Sequence, residues 1–289
     1  MILLKNNSTN LKNKVAVITG GTGGIGSVIA LLFAKEGAKV IIIDVDKKRI
    51  DALVKKIGNG SIGIKIDVRN PSQIKKAVSE IAIKFKKIDV LVNAAGIQGP
   101  IGLFIDANLD DWTNNIKINL FGTANFCKAV LPLMIKRKGG RIINFSGGGA
   151  TFSRPHFSAY AVSKIGIVKF SEILADEVKK YNIYVNAIAP GGINTNMLKE
   201  VLQQRKSAGE EEFKKAQERK KTGGTPPELV AELVLFLASE KSHNLTGKLI
   251  SAPWDNWKKW SKKDIDQINK TTKYTLKRID NKIFKEIKT

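Results

Sequence analysis

Lys14-Val15-Ala16-Val17-Ile18-Thr19-Gly20-Gly21-Thr22-Gly23-Gly24-Ile25-Gly26 is the stretch on which the rest of the chain depends. A short apolar run rich in β-branched residues predicts a buried strand. The glycines crowded between Gly20 and Gly26 predict a tight turn, and Ser27 to Gly37 carries apolar residues at helical spacing up to a glycine suited to a C-cap. Strand, glycine turn and helix together form a phosphate cradle. N–H groups at a helix start face an anion, and missing Cβ atoms let a pyrophosphate approach closely. Glycines alone are weak evidence, but this strand-to-helix context is the one that a dinucleotide site requires.

Working outward, 289 residues suit one α/β domain with additions, and 43% hydrophobic residues are typical of a globular chain. Met1 to Leu4 is too short for a signal peptide, Lys5 to Asn10 is polar, and no apolar run approaches membrane-spanning length. The single Cys127 excludes an internal disulfide and fits a reducing compartment, so a cytoplasmic protein is expected. A net charge of +23 invites a nucleic-acid reading. Lysine is spread along the whole chain, however, with no zinc-ligand spacing and no helix-turn-helix signal, so neither a metal nor nucleic acid is expected.

The first half alternates strands and helices. Lys39 to Asp44 is a second buried strand ending in a carboxylate, and Asp44 lies 18 residues beyond Gly26. That offset suits an acid receiving the adenosine ribose hydroxyls, and a carboxylate there repels a 2′-phosphate, favouring NAD over NADP. The competing reading is an aspartate that only caps the next turn. Strands over Ser61 to Ile66 and Ile88 to Val92 follow, with helices over 47–57 and 71–86. Short apolar strands spaced by helices predict a single doubly wound parallel sheet, α/β in class, with helices on both faces and ligands beyond the carboxyl ends of the strands.

Thr19-Gly20-x-x-x-Gly24-Ile25-Gly26, Asp67-Val68, Asn93-Ala94-Ala95-Gly96 and Tyr160-Ala161-Val162-Ser163-Lys164 resemble the short-chain dehydrogenase/reductase family over about residues 12–250. The literal Rossmann spacing is also present at Gly21, Gly23 and Gly26, so pattern alone leaves the glycine register open. The family's register makes Gly20, Gly24 and Gly26 the turn glycines, with Thr22, Gly23 and Ile25 between them. The resemblance implies a Rossmann-like fold in which Asp67 contacts adenine beside Val68, while Asn93, Ala94 and Gly96 support the sheet and line the cofactor site. It also makes Asn119, in a long helical pattern over 106–134, a catalytic asparagine rather than a solvated one. Tyr160 becomes the acid–base, and Lys164 grips ribose. In Pro190-Gly191-Gly192-Ile193-Asn194-Thr195, backbone at Ile193 would bind the carboxamide, and Thr195 the carboxamide or pyrophosphate.

The tyrosine and lysine make chemical sense together. Four residues apart, they share a helix face. A phenol near its ordinary pKa of about 10 is a poor acid–base at neutral pH, and an adjacent ammonium favours the phenolate. One departure stands out. The family's catalytic serine lies 13 residues before the tyrosine, where this chain has Gly147. Either the loop re-aims Ser146 or Thr151 as the hydroxyl, with Ser146 preferred, or that donor is missing.

Met197 to Lys221 is a charged helical insertion framed by Gly223-Gly224 and Pro226-Pro227. The family carries a mobile lid here, spanning about 196–225; the plainer reading is a pair of solvated helices. The dehydrogenase domain is expected over 1–253, with a basic arm over 254–289. Trp254, Trp257 and Trp260 stand among lysines in that arm, a pattern suited to a membrane surface, a glycan or an anionic substrate. Docking of the indoles on the chain's own domain or on a neighbouring subunit is preferred. The ending Gly247-Lys248-Leu249-Ile250-Ser251-Ala252-Pro253-Trp254-Asp255 resembles family reductases associated with polysaccharide and nucleotide-sugar pathways. The expectation is an NAD(H)-dependent enzyme interconverting a secondary alcohol and a ketone on a small molecule, sugar-linked or anionic. By family habit it would form a homodimer or homotetramer. The rival class is a non-catalytic nucleotide-binding or scaffold protein on the same fold.

Overall fold

The computed structural model describes residues 10–279. The first nine residues, including the stretch weighed as a signal peptide, and the last ten residues of the arm lie outside the described residues. Seven strands form one all-parallel sheet: β1 (Val15–Thr19), β2 (Lys39–Asp44), β3 (Ile62–Lys65), β4 (Val90–Asn93), β5 (Gly140–Phe145), β6 (Ile183–Ala189) and β7 (Leu249–Ser251). Their order is β3-β2-β1-β4-β5-β6-β7. The chain runs outward from β1 through β2 to β3, then returns to place β4 on the other side of β1. This reversal opens a crevice above the carboxyl ends of β1 and β4.

The side-chain alternation of a strand divides the core in two. Ala16, Ile18, Val40 and Ile42 pack on one face with α1 (Gly24–Lys35), α2 (Lys47–Ile57) and the later α10 (Pro227–Ala238). Val15, Val17, Ile41 and Ile43 face the opposite way, against α3 (Pro71–Phe85), α5 (Gly122–Arg137) and α6 (Ser158–Val178). Both faces are covered, so these strands read as unbroken apolar runs. Local signals set the helix starts. Asp46 accepts a hydrogen bond from Arg49 N at 3.1 Å to cap α2, and Asn70 accepts from Gln73 N at 3.1 Å to cap α3, with Pro71 in its first turn.

The long helical stretch Leu109–Arg137 combines α4 (Leu109–Ile116), a π-helical turn at Lys117–Phe121, and α5. By length and composition, with a mean hydropathy of 1.4, it would cross a membrane, contrary to the expectation that no apolar run does so. One side of it packs in the fold, with Phe126, Cys127, Val130 and Met134 fully buried beneath the sheet, while Leu109 and Phe121 are exposed.

The insertion holds three helices, α7 (Asn196–Gln203), α8 (Arg205–Ala208) and α9 (Glu210–Thr222), and an antiparallel bridge between Ile193 and Gly224 ties its end to the loop after β6. The start of the arm, with α11 (Lys262–Lys270), lies on the chain's own domain. Trp257 is 5% exposed and stacks 5.7 Å from Phe236, Trp260 lies 5.3 Å from Tyr274, and Ile265 and Ile268 join the first core. Trp254 differs, being 76% exposed.

Candidate active site

The glycine turn is closely packed. Gly20 has φ +62°, and a Cβ there would lie 2.7 Å from the backbone of Ala95, so the loops after β1 and β4 touch at this point. A Cβ on Gly26 would lie 2.2 Å from Gly20 O, which locks the start of α1 against the turn. Gly23 precedes α1 with no side-chain cap, leaving the helix N-terminus to an anion. Thr195, after β6, approaches from above: a Cβ on Gly24 would lie 3.0 Å from its Cγ2. Absent Cβ atoms and an uncapped helix start fit a dinucleotide pyrophosphate.

Asp44 stands at the end of β2 with its carboxylate turned to the glycine turn. Its Oδ2 accepts from Thr22 N at 3.0 Å and from Thr22 Oγ1 at 2.6 Å. It therefore braces the turn, whereas the cap of α2 is Asp46. The Arg49 guanidinium donates to Thr22 O, bringing a cation to the same corner. Asp67 is held by Arg69, whose Nε donates at 2.9 and 3.0 Å, and this partner keeps the carboxyl below its ordinary range. Val68 is buried where a Cβ on Gly122 would meet it at 2.7 Å. Asn93 donates to Asn144 Oδ1 at 2.9 Å, tying β4 to β5.

Ile25, Ala94, Gly96, Ser146, Tyr160, Lys164, Pro190, Gly191, Ile193 and Thr195 all line one cleft of about 300 Å³. Asn119 stands behind it, fully buried in the π-helical turn; a Cβ on Gly96 would lie 3.0 Å from its Oδ1. The extra residue in such a turn re-aims a side chain. Here Asn119 Oδ1 accepts from Ile97 N at 2.9 Å, and its Nδ2 faces Ile97 O, Asn115 Oδ1 and Ser163 Oγ at 2.9–3.0 Å. The solvated alternative is thereby excluded.

Tyr160 and Lys164 leave one face of α6, and the Lys164 ammonium lies 5.4 Å from the Tyr160 ring centroid. Its Nζ donates to Phe145 O at 2.9 Å, and burial pushes its pKa down to about 8. Burial also raises the Tyr160 phenol above its ordinary value, opposed by the Arg154 guanidinium, which sits 5.9 Å from the ring. The sequence expectation is that Lys164 lowers this phenol; burial instead raises it, and the cation that opposes burial is Arg154.

Gly147 is the telling position. A Cβ there would lie 2.3 Å from the Tyr160 hydroxyl, so the phenol occupies the space of the side chain the family pattern expects. Ser146 is 2% exposed, and its Oγ has no hydrogen-bond partner among the described residues. Ser146 N still bonds Ile188 O at 2.9 Å, continuing the β5 ladder, so Ser146 shares a face with Asn144. Asn144 on that face donates to Ser171 on α6 at 2.9 Å, whereas the face of Gly147 meets the Tyr160 hydroxyl. Thr151 is exposed at the cleft rim.

Arg154, Glu212 and Arg219 also line the cleft, and no motif marked them. Arg154 Nη2 donates to Glu212 at 2.7 Å, and its guanidinium lies 3.8 Å over the Phe157 ring. Partners 58 residues apart, one in the loop before α6 and one in α9, leave no periodic signal in sequence.

Comparison with known proteins agrees with this geometry. The sequence pattern of the short chain dehydrogenase family matches residues 14–206. The 3-oxoacyl-acyl-carrier-protein reductase FabG of Thermotoga maritima is 38% identical over 245 residues, 83% of this chain and 96% of the relative. The oxidoreductase UcpA of Escherichia coli K12 is 38% identical over 245 residues, 82% of this chain and 92% of the relative. Among solved structures, an NAD+-bound xylitol dehydrogenase superposes with TM-score 0.78 at 28% identity, covering 83% of this chain and 98% of its own. A levodione reductase gives 0.77 at 25% identity, covering 86% and 99%.

Proposed function

Because the chain belongs to the short-chain dehydrogenase/reductase family, we propose that this NAD(P)-dependent oxidoreductase of CH–OH groups uses NAD(H) to interconvert a secondary alcohol and a ketone on a sugar-linked or anionic small molecule. The observation that carries the reading is the convergence in one cleft of the Tyr160 phenol and the Lys164 ammonium with the loops that border the glycine cradle. A protein that only binds a nucleotide needs no phenol there. The rival scaffold reading draws on Gly147 and on the tryptophan-bearing arm.

Gly20, Gly24 and Gly26 would admit the pyrophosphate, Asp44 the adenosine ribose, Lys164 the nicotinamide ribose, and Ile193 and Thr195 the carboxamide. Bound there, the nicotinamide supplies the hydride acceptor or donor. Tyr160 gives a proton to the ketone oxygen or takes one from the alcohol, and its raised pKa keeps the phenol protonated at neutral pH, ready to donate. Ser146 lines the same cleft with its Oγ unpartnered among the described residues, and is the hydroxyl assigned to hold the substrate oxygen. Asn119 positions the segment at Ile97 and supports the proton relay.

Asp44 supports NAD, while Arg49 at the same corner is the residue that a 2′-phosphate would use. The ending at Gly247 to Asp255 supports a sugar-linked substrate, as does the likeness to a dehydrogenase of xylitol. Leu109 on α4, Phe121 in the π turn, and Val162, Ile165 and Ile173 on α6 are exposed apolar side chains that would be covered in a homodimer or homotetramer. A free, buried Cys127 suits a cytoplasmic site. Of the three arm indoles only Trp254 is exposed, which speaks against a membrane-binding stripe.

Fluorescence and calorimetric titration of NADH and NADPH into wild type and Asp44→Ala tests the reading. Tight NADH binding, weak NADPH binding and loss of that preference in the variant are expected. Binding of neither nucleotide overturns it.

A further inference from the structure

The cleft holds more positive charge than proton transfer requires. Arg154 is neutralised by Glu212 through bonds of 2.7 and 3.1 Å, with the two side chains only 10% and 16% exposed. Arg219, two turns along α9 from Glu212, has neither a hydrogen bond nor an ion pair among the described residues, although it is half-buried. Its stem crosses the backbone where the two lid ends meet. A Cβ on Gly192 would lie 2.4 Å from its Nε, and one on Gly224 2.9 Å from its Cγ. Burial and the neighbouring Arg154 push its pKa down, while Glu212, already bonded to Arg154, pulls it back up. One carboxylate thus serves two guanidiniums, and the donors of Arg219 are left open to an anion that completes the site.

We propose that Arg219, with Arg154 behind it, holds an oxyanion carried by the substrate, so that the enzyme acts on a hydroxy or oxo acid or on a phosphate ester. This rests on the dehydrogenase reading of the same cleft and narrows its substrate class. The planar fork of a guanidinium matches carboxylate and phosphate oxygens in pairs. Arg154 lies 5.9 Å from the Tyr160 ring, and Arg219 lines the same cleft, so one small molecule can meet both the anion site and the phenol. The cofactor's own pyrophosphate has a separate cradle at the uncapped start of α1, below Thr195.

The test is calorimetric titration of malonate and of inorganic phosphate into the wild-type protein saturated with NADH, repeated on Arg219→Met, which keeps the stem and removes the charge. One anion per chain is expected, weakened at least about tenfold in the variant, with NADH affinity unchanged within about twofold. Preference for malonate or for phosphate separates a carboxylate from a phosphate ester. Failure of both anions to bind, or equal binding by the variant, overturns the proposal. A variant that loses NADH affinity instead assigns Arg219 to the cofactor and also overturns it. If wild type binds no NADH, the dehydrogenase reading falls, and the same pair of titrations on the cofactor-free proteins decides the anion site by itself.

Discussion

The two ends of the cleft are built differently. At the cofactor end, backbone meets backbone: the turn after β1 touches the loop after β4, and Gly26 closes on Gly20 O. At the end proposed to take substrate, long side chains from distant segments meet, with Arg154 reaching Glu212 on α9 and Arg219 lying over Gly192. The first end is determined by strand order and by the absence of Cβ atoms. The second depends on individual charges. Chemistry common to the family sits at the boundary, on α6, where Tyr160 and Lys164 face the cleft.

The largest effect should come from that boundary. Tyr160→Phe removes the proton donor while filling the same space, and turnover should fall by about a thousandfold. NADH affinity, read by calorimetry, should stay within about twofold, since the cradle is untouched. A variant that retains turnover would transfer the acid–base role to another group. On the cofactor side, Gly26→Ala drives a Cβ to 2.2 Å from Gly20 O. Overpacking of this kind costs about 1–3 kcal/mol, visible as a lower midpoint in denaturant, together with loss of NADH binding.

The ammonium of Lys164 gives a smaller effect with a defined pH window. Burial lowers its pKa from 10.5 to about 8, so below pH 8 both folded and unfolded chains carry the proton and the folded state bears the full desolvation cost. Between pH 8 and 10.5 the unfolded chain binds more protons, and this contribution raises stability as pH rises. The stability of cofactor-free wild type relative to Lys164→Met should therefore improve by on the order of 2 kcal/mol from neutral pH towards pH 10. Tyr160, whose pKa is raised, works in the opposite sense above the ordinary phenol range, which sets the upper limit of the measurement. A pH-independent difference would show that Lys164 is not desolvated.

The same contrast explains what could be read from sequence. Apolar runs such as Val15-Ala16-Val17-Ile18 are buried on both faces, and that pattern predicts a parallel sheet; the strand order that puts the crevice between β1 and β4 comes from the structure. Tyr160 and Lys164 were legible because they follow the glycine turn, Asp67-Val68 and Asn93 to Gly96 in order; in a lysine-rich chain their helical spacing alone is a weak signal. Asn119 was legible as a position but not as a geometry, since a π-helical turn leaves no pattern in a sequence with ordinary helix formers on both sides. The second cation near the phenol was not legible: Arg154 lies in a loop, and what brings it to the ring is packing on Phe157 and pairing with Glu212. Such contacts arise from tertiary structure and have no periodicity to detect.

Gly147 draws the comparison to its finest point. If the loop after β5 were only a family site with its serine deleted, Gly147→Ser would restore the missing donor and raise turnover. The structure argues the reverse. The Cβ of that serine would lie 2.3 Å from the Tyr160 hydroxyl, so the phenol must swing away from the cleft to admit it. Turnover should fall about tenfold, with the loss in kcat rather than in NADH affinity, because a displaced acid weakens the transition state more than the ground state. Ser146→Ala, which removes a hydroxyl that has no partner among the described residues, should leave stability nearly unchanged and lower kcat by about tenfold. A fall in both variants would mean that this chain moved its hydroxyl one residue back along β5 and let the tyrosine advance into the space. A rise in the first with no change in the second would mean that the glycine is simply a loss.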